Sequence, residues 1–331
     1  MTSPPARVAT PVLPPARPPA SLAPMLGVRQ DASAGAETSR GLLLTVLGEF
    51  VLPAGGNAWT QTLVSLLDLL GVREKSTRQT LARMHDRGWL HRERLGRQTR
   101  WILTDDVRRL LEPGAKRIYE FGQTARPWNG SWLVLLASVP ERDRHARYHL
   151  GSRLNWAGLG TIGQGTWLSP WIEDEPNVAE LLRRLDLDAT IFRAELGALG
   201  SPQALAQAAW DLPALRANYE AFLTDTDHVV RSGPTGADAA ASLALLVHRW
   251  RRFPFVDPDL PAELLPSDWP GPAAARRFTE ARAALTDHAR RWWEASEAAF
   301  GPTAPFAEAT EEPRAGAVGG DVRRRVGSTT R

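Results

Sequence analysis

The stretch from Trp59 to Leu103 constrains the fold more than any other part of the chain. Its first part repeats leucine at the three-and-four spacing of one buried helix face. The leucines of that face are Leu63, Leu66, Leu67 and Leu70. Gly71 follows them, and glycine is the usual residue just past the end of a helix. A helix is therefore predicted from Trp59 to Leu70.

A second helix is predicted from about Glu74 to Arg87, and Gly88 ends it. Its apolar face is formed by Thr77, Leu81 and Met84. Two helices joined by a turn around a glycine are typical of a helix-turn-helix.

Two strand-like segments follow the second helix, Trp89-Leu90 and Arg100 to Leu103, with a polar segment over residues 92–99 between them. A basic hairpin directly after the second helix is the layout of a winged helix-turn-helix. We expect this domain to span residues 39–115, with a first helix over Leu42 to Phe50. A further helix is predicted after the hairpin, with Thr104 as its cap and Pro113-Gly114 as its end.

Positive charge is concentrated in this region. Between Arg73 and Arg100 there are nine positive residues and three acids, which leaves +6, whereas the whole chain carries only +3. The positive residues are Arg73, Lys75, Arg78, Arg83, Arg87, Arg92, Arg94, Arg97 and Arg100. This is the charge pattern expected where a protein meets a DNA backbone.

The face of the second helix opposite its apolar residues is predicted to enter the major groove, where glutamine pairs with adenine and arginine with guanine. This face carries Lys75, Ser76, Arg78, Gln79 and Arg83. The hairpin is predicted to contact the backbone or the minor groove through Arg94, Arg97, Gln98 and Arg100. Two alternatives stay open: a solvated charged helix in a protein–protein scaffold, and a nucleic-acid enzyme built on the middle domain.

Length and composition indicate a globular protein of two or three domains, since the chain has 331 residues of which 43% are hydrophobic. The absence of cysteine excludes disulfides and thiolate chemistry and fits a cytoplasmic location. No apolar run approaches the ~18 residues that span a bilayer, so no membrane association is expected.

The remaining chain divides by composition into a proline-rich N-terminal arm, a linker, a mixed middle domain, a helical C-terminal domain and a tail. Their expected ranges are 1–38, 116–130, 131–200, 201–303 and 304–331. In the middle domain, strand and helix patterns alternate as β-α-β-(β)-α-β, which favours a ferredoxin-like α+β fold. The C-terminal domain shows helical spacing, interrupted by a proline-studded segment from Phe253 to Pro270 that is too apolar to be a linker.

One cluster outside the predicted DNA-binding face suits an anionic ligand with a flat ring, because it combines cations with aromatic rings. It consists of Arg249, Trp250, Arg251, Arg252 and Phe253. A helix end that packs its aromatic residues explains the same pattern equally well.

No catalytic or metal site is predicted. Gly158, Gly160 and Gly163 match a dinucleotide-binding spacing, but the strand before them and the helix after them are missing from the predicted order. His145 and His149 have metal-ligand spacing without a third ligand, among arginines. We therefore expect no enzyme activity and no cofactor.

Three stretches, in order, resemble the PaaX family of phenylacetic-acid degradation repressors. They are GLLLTVLGEFVLPAGGNAWT (41–60) with STRQTLARMHDRGWLHRERLGRQTRWILT (76–104), PWNGSWLVLLASVPE (127–141) with TWLSPW (166–171), and HRWRRFPFVDPDLPAELLPSDWPG (248–271). The third is the most specific, because it is long and patterned by prolines. The resemblance covers about residues 40–300, and the arm and tail depart from it.

The resemblance implies a homodimeric winged helix-turn-helix repressor that binds an inverted repeat in double-stranded DNA. It also implies a Cas2-like middle domain, an all-helical C-terminal domain for effector binding and dimerisation, and control of an aromatic-acid catabolic operon. The implied effector is phenylacetyl-CoA or another acyl-CoA, which releases the protein from DNA.

Overall fold

The computed structural model describes residues 39–124, 126–137, 144–163, 165–185 and 187–301, without the side chains of residues 144–149, 228 and 230. The predicted arm (1–38) and tail (304–331) lie outside the described residues, as do the side chains of His145 and His149.

The N-terminal region begins with a buried apolar helix that continues as one π-helical segment, Leu47–Val51. The elements that follow confirm the predicted helices and hairpin and add a short strand, β1, that the sequence pattern did not indicate. In order they are α1 (Ser39–Val46), β1 (Asn57–Trp59), α2 (Thr60–Leu69), α3 (Glu74–Asp86), β2 (Leu90–Leu95), β3 (Gln98–Leu103) and α4 (Asp105–Glu120). The strands form an antiparallel sheet in the order β1-β3-β2.

The turns around α3 depend on glycine at two positions. Gly71 before α3 and Gly88 after it adopt φ values of 78° and 71°, in the left-handed region that side chains with a Cβ disfavour. Helix α2 buries Leu63, Leu66 and Leu67, as its leucine spacing predicts. Burying each such side chain stabilises the fold by ~1.5–3 kcal/mol.

Helix α4 is longer than the sequence predicts. A stop at Pro113-Gly114 is wrong, because the helix runs through Pro113 to Glu120. Proline inside a helix removes a hydrogen bond and costs ~3 kcal/mol in isolation. The extension is held by tertiary contacts of its last turn, where Ile118 and Tyr119 pack on the core and Arg117 donates to the Pro254 carbonyl at 3.0 Å. The first residues of the expected linker are therefore helical.

Thr104 occupies the position before α4 without capping it. The sequence predicts that its side chain caps the helix, but its hydroxyl instead donates to the carbonyls of Gly88 (3.0 Å) and Trp89 (3.2 Å). It thereby ties the start of α4 to the end of α3.

The middle region is an α+β unit with the predicted β-α-β-β-α-β order. Its elements are β4 (Ser131–Ala137), α5 (Arg144–Trp156), β5 (Gly160–Gly163), β6 (Thr166–Ser169), α6 (Glu175–Arg184) and β7 (Ala189–Glu195). The sheet is antiparallel in the order β5-β6-β4-β7, with the two strands that begin and end the unit side by side, as in a ferredoxin-like fold. The glycines of the dinucleotide-like spacing flank and lie in β5, and strand β6 rather than a helix follows.

The two faces of this sheet belong to different cores. On one face, Leu133 and Leu135 of β4 pack with Leu150 and Leu154 of α5 and with Leu182 of α6. On the other face, part of the sheet is covered by residues from the chain that follows β7. That second core contains Trp132, Leu168, Ala206, Ala209, Leu212, Leu260 and Leu264.

The chain from Pro202 to Phe300 folds as helices, which agrees with the predicted helical spacing in this segment. They are α7 (Pro202–Ala209), α8 (Leu212–Ser232), α9 (Gly236–Trp250), α10 (Phe253–Val256) and α11 (Gly271–Phe300), with a 3-10 turn at Ala262–Leu264. The proline-studded segment is packed as expected, since Leu260 and Leu264 are buried.

One hydrophobic core connects the N-terminal elements with these last helices. It joins leucines of α1 and α2 to Leu243, Leu246 and Trp250 of α9 and to Phe278 of α11. Residues 39–120 therefore share a core with α9 and α11, and α9 packs directly against α1 and α2.

Candidate nucleic-acid interface

Helix α3 presents the predicted basic face to solvent. Thr77, Thr80, Leu81 and Met84 are buried against α1 and α2, which turns the opposite side outward. Of the five residues assigned to that side, four are exposed and Ser76 is half-buried. The exposed residues are Lys75, Arg78, Gln79 and Arg83.

Arg78 is held by an ion pair within α3, since its Nε donates to Glu74 at 2.7 Å. Both side chains are about half exposed. Exposed pairs of this i,i+4 kind stabilise a helix by only ~0.3–0.5 kcal/mol. Arg78 can therefore exchange Glu74 for a phosphate or a base at small cost.

A groove of about 690 Å³ lies beside the start of α3. The hydroxyls of Ser39 and Ser76, two residues that line it, lie 3.0 Å apart. Its polar lining includes Arg73, Lys75 and Gln79, and its apolar side chains are Leu42, Leu70 and Val72. Arg73 is exposed at the N-cap of α3. It belongs to the basic region seen in the sequence but not to the predicted DNA-binding residues. The sequence signal that could have identified Arg73 as a site residue is its position just before the start of a helix.

The β2–β3 hairpin ends in a two-residue turn, Gly96-Arg97, since Leu95 pairs with Gln98. Gly96 has a φ of 62°, as hairpin turns with glycine first require. Arg94, Arg97 and Gln98 are exposed around this turn. The hairpin thus presents a small basic surface around its turn.

Arg100 has different surroundings from the rest of the hairpin. It is half-buried, its Nε and Nη2 donate to the Asn57 side-chain oxygen at 2.8 and 2.5 Å, and its guanidinium lies 5.7 Å from the centre of the Trp59 ring. These contacts fix β1 against β3. The structure does not place Arg100 with the exposed cations of the turn.

The five residues of the predicted effector cluster are not brought together in an open pocket. Trp250 and Phe253 are buried, and other rings cover them: Trp250 stacks on Phe278 at 4.8 Å and Phe253 on Tyr219 at 4.2 Å. The three arginines diverge: Arg249 pairs with Asp225, Arg251 is buried, and Arg252 is exposed. Effector binding by this cluster stays a prediction.

The end of α9 is bonded to α1, behind the α3 face. His248 Nδ1 lies 2.8 Å from the Thr45 hydroxyl, and Arg251 donates to the Gly41 carbonyl at 3.1 Å. Burial, followed by the charges of Arg251 and its neighbouring arginines, lowers the pKa of His248 to about 3. The imidazole is therefore neutral at physiological pH.

A second polar link joins the π-helical segment to α4 and α11. Glu49 is buried, accepts a hydrogen bond from the Tyr119 hydroxyl, and accepts another from Arg282 at 3.0 Å. The Arg282 guanidinium also lies over the Tyr119 ring at 4.1 Å. Burial raises the pKa of Glu49, and Arg282 and Tyr119 oppose that rise. Sequence periodicity could not show this link, because its members are 70 and 233 positions apart.

Within the described ranges, no group of three or more potential metal-ligating side chains is found. Likewise, none of the helices in the described part is long and apolar enough to cross a membrane.

Three family models of known proteins match successive regions of this chain. Residues 38–107 match the family model of the PaaX-like protein, residues 125–206 that of the PaaX protein central Cas2-like domain, and residues 210–295 that of the PaaX-like protein C-terminal domain. The chain therefore belongs to the PaaX family.

Two individual proteins are similar to this chain. The transcriptional repressor PaaX of Escherichia coli (strain K12) is 31% identical over 252 residues, which cover 70% of this chain and 76% of that protein. The solved structure of the uncharacterized protein Rv0674 from Mycobacterium tuberculosis is 26% identical, with a TM-score of 0.53. That match covers 78% of this chain and 98% of the solved chain.

Proposed function

We propose that this protein is a DNA-binding transcriptional repressor in which residues 39–115 act as a winged helix-turn-helix. The observation that carries the proposal is the two-sided character of α3. One side is buried in the core, and the other exposes Lys75, Gln79 and Arg83 beside a basic hairpin. The similarity to an E. coli transcriptional repressor supports the same function.

In this function α3 enters the major groove and the hairpin lies along the backbone as the wing. Gln79 and Arg83 read base edges, because their amide and guanidinium groups match adenine and guanine. Arg94 and Arg97 contact phosphates and add affinity without sequence preference. Arg73 and the backbone amides at the start of α3 contact a DNA phosphate next to the protein groove that lies beside this helix.

A homodimer presents two such helices to an inverted-repeat operator whose half-site centres lie about one helical turn, or a multiple, apart. The regulated genes are proposed to be an operon for the catabolism of an aromatic acid of the phenylacetate type. Repression follows when the operator overlaps the promoter.

Release from DNA is proposed to follow binding of an acyl-CoA such as phenylacetyl-CoA. The ligand must favour the conformation that cannot bind DNA, since equal affinity for both states shifts nothing. The contacts from α9 to α1 support this coupling, because α1 packs directly on α3. Arg252 is the exposed member of the predicted effector cluster and a candidate for a CoA phosphate.

Fluorescence anisotropy on labelled DNA from upstream of the protein's own gene tests the proposal. Titrations at two salt concentrations, with and without phenylacetyl-CoA, are compared with a scrambled duplex. We expect sequence-selective, salt-sensitive binding that the thioester weakens. Equal affinity for all duplexes, with other upstream fragments also tried, would support the protein–protein scaffold, and metal-dependent cleavage of the DNA would support an enzyme.

A further inference from the structure

Arg40, the second residue of α1, lies at the end of α3 and is not among the predicted DNA-binding residues. The turn that carries it is close to α3, since the hydroxyls of its neighbour Ser39 and of Ser76 are 3.0 Å apart. The half-buried Arg40 guanidinium lies 5.2 Å from the centre of the Trp89 ring, close enough for a cation–π contact. The start of α1 therefore brings a cation to the point where α3 ends and the hairpin begins.

Trp89 is a fixed platform for this cation. Its backbone N–H donates to the Met84 carbonyl at 2.9 Å, and its own carbonyl accepts from the Thr104 amide and hydroxyl, each at 3.2 Å. The ring is half-buried and packs on the core that α1, α2, α9 and α11 share. The Arg40 guanidinium is therefore held in place before a ligand arrives, which lowers the entropy lost when it binds one.

Arg87, the C-cap of α3, adds a second positive charge at this point. It is exposed, and it continues the four-residue spacing of Lys75, Gln79 and Arg83 along one inclined row of the helix. Burial, followed by the charge of Arg87, lowers the pKa of Arg40. The two guanidiniums are thus close enough to repel each other.

In the part of the chain that the structure describes, no acidic side chain pairs with either arginine, and neither forms a side-chain hydrogen bond. Asp86, which precedes Arg87, is exposed and forms no ion pair with them. Arg87 suits the negative end of the α3 dipole, but Arg40 lies in the first turn of α1, where the dipole disfavours a cation. Two repelling cations without an acid between them indicate a site whose counter-charge is a bound anion.

We propose that Arg40 and Arg87 together bind one backbone phosphate of DNA at the end of α3. A phosphate offers oxygens to both planar guanidiniums, which donate charge-assisted hydrogen bonds to it. With Arg73 on a phosphate at the other end, α3 is then fixed to the DNA backbone at both ends. This site rests on the proposed function, since it needs α3 to lie in the major groove.

The dimensions of α3 fit this placement. Its 13 residues span ~20 Å, whereas the major groove is ~12 Å wide. When Gln79 and Arg83 lie on base edges, the ends of the helix extend beyond the bases. Arg87 lies ~6 Å further along the axis than Arg83, which takes it past the base contacts toward the backbone.

Fluorescence anisotropy of the full-length protein on the operator and on a scrambled duplex, over a series of salt concentrations, tests the shared phosphate. Arg40→Ala or Arg87→Ala alone should weaken binding to both duplexes by about twofold or more, because phosphates carry no sequence information. The double variant should lose about tenfold or more, and its slope of log affinity against log salt should become shallower by about 1. A slope change of about 2 would mean two separate phosphates and would contradict the shared site.

Two control variants separate charge from packing and from position. Arg40→Lys keeps the charge and should keep the salt slope. Arg276→Ala removes an exposed arginine of α11 and should leave both affinity and slope unchanged. Circular dichroism melting should place the Arg87→Ala and double variants within about 3 °C of the wild type, because exposed substitutions change stability little.

If the double variant binds the operator as tightly as the wild type, or loses affinity for the operator but not for the scrambled duplex, the inference is overturned and the proposed function stands. Wild-type binding that is salt-sensitive but equal on all duplexes, and that the double variant loses, would support the phosphate site and reject sequence-specific repression. Calorimetric titration of phenylacetyl-CoA into the free protein distinguishes the other source of phosphate. Weaker thioester binding by the double variant, with DNA affinity unchanged, would assign the pair to the CoA phosphates and overturn the inference.

Discussion

The His248 imidazole and the Thr45 hydroxyl, 203 positions apart, lie 2.8 Å from each other in the core. This contact joins the end of α9 to the helix that supports the exposed basic face of α3. The N-terminal and C-terminal regions are therefore bonded through polar groups as well as packed, and several consequences can be measured.

Stability should depend on pH through His248. Its pKa of about 3 in the folded chain is below the ordinary value of 6.5. Between these values the unfolded chain binds a proton that the folded chain does not. The free energy of unfolding should therefore fall as pH falls from 6.5 toward 3, by up to ~1.4 kcal/mol per pH unit from this group.

Urea denaturation at pH 7, 6 and 5 measures this effect, with His248→Asn as the comparison because asparagine does not titrate. The variant should be less stable than the wild type at pH 7, and the difference should shrink as pH falls. Parallel pH profiles for the two proteins would contradict the assignment.

Removing Arg282 alone should lower the free energy of unfolding more than replacing both Glu49 and Arg282. Arg282→Ala leaves a buried carboxyl with only Tyr119, whereas Glu49→Gln with Arg282→Ala leaves a neutral amide. For a fully buried ion pair, removal of one partner lowers stability by ~3–5 kcal/mol. We expect less here, because the Arg282 side chain is 33% exposed. A double-mutant cycle by chemical denaturation measures the coupling, and additive losses would exclude it.

Replacing Pro113 should stabilise the protein. Pro113→Ala restores an amide donor inside α4 and removes a steric conflict with the preceding turn. Loss of proline's restriction on the unfolded chain offsets part of this gain, by ~0.4–1 kcal/mol. A net increase of ~1–2 kcal/mol in the free energy of unfolding is expected. Glu112→Ala, at the neighbouring exposed position, is the control and should change little.

Base specificity and backbone affinity should separate between α3 and the wing. Arg83→Ala should lose ~1–3 kcal/mol on the operator and alter base preference, while Arg97→Ala should weaken all duplexes alike and reduce the salt slope by about 1. Anisotropy on an operator and on single-base variants distinguishes them. Uniform loss for Arg83→Ala would remove that residue from base recognition.

Alanine substitutions of Trp250 and Arg252 should have different effects on stability, although both residues belong to the predicted effector cluster. Trp250→Ala removes a fully buried ring and should cost ~3–5 kcal/mol of stability. Arg252→Ala changes an exposed position and should alter stability by less than ~0.5 kcal/mol. If the proposed effector site includes Arg252, this variant should need more phenylacetyl-CoA for release from DNA. Unchanged release would exclude Arg252.

Local periodicity determined most of the secondary structure and the face of α3. Leucine spacing and the glycines at 71 and 88 predict α2, α3 and their turns, because these signals act within a few residues. Where a local signal conflicts with the observed structure, tertiary contacts decided the conformation. Pro113 lies inside a helix because the residues after it reach a core made by other elements.

The sequence by itself determined which residues carry charge and which side of α3 carries it outward, since that follows from helical repeat and hydrophobicity. Only the tertiary structure decided that Arg100 is bound to Asn57, that Trp250 is enclosed by rings, and that His248 meets Thr45. The physical reason is distance along the chain. Arg100 and Asn57 are 43 positions apart and His248 and Thr45 are 203 apart, so such partners are chosen by packing of whole elements, and no local pattern encodes that choice.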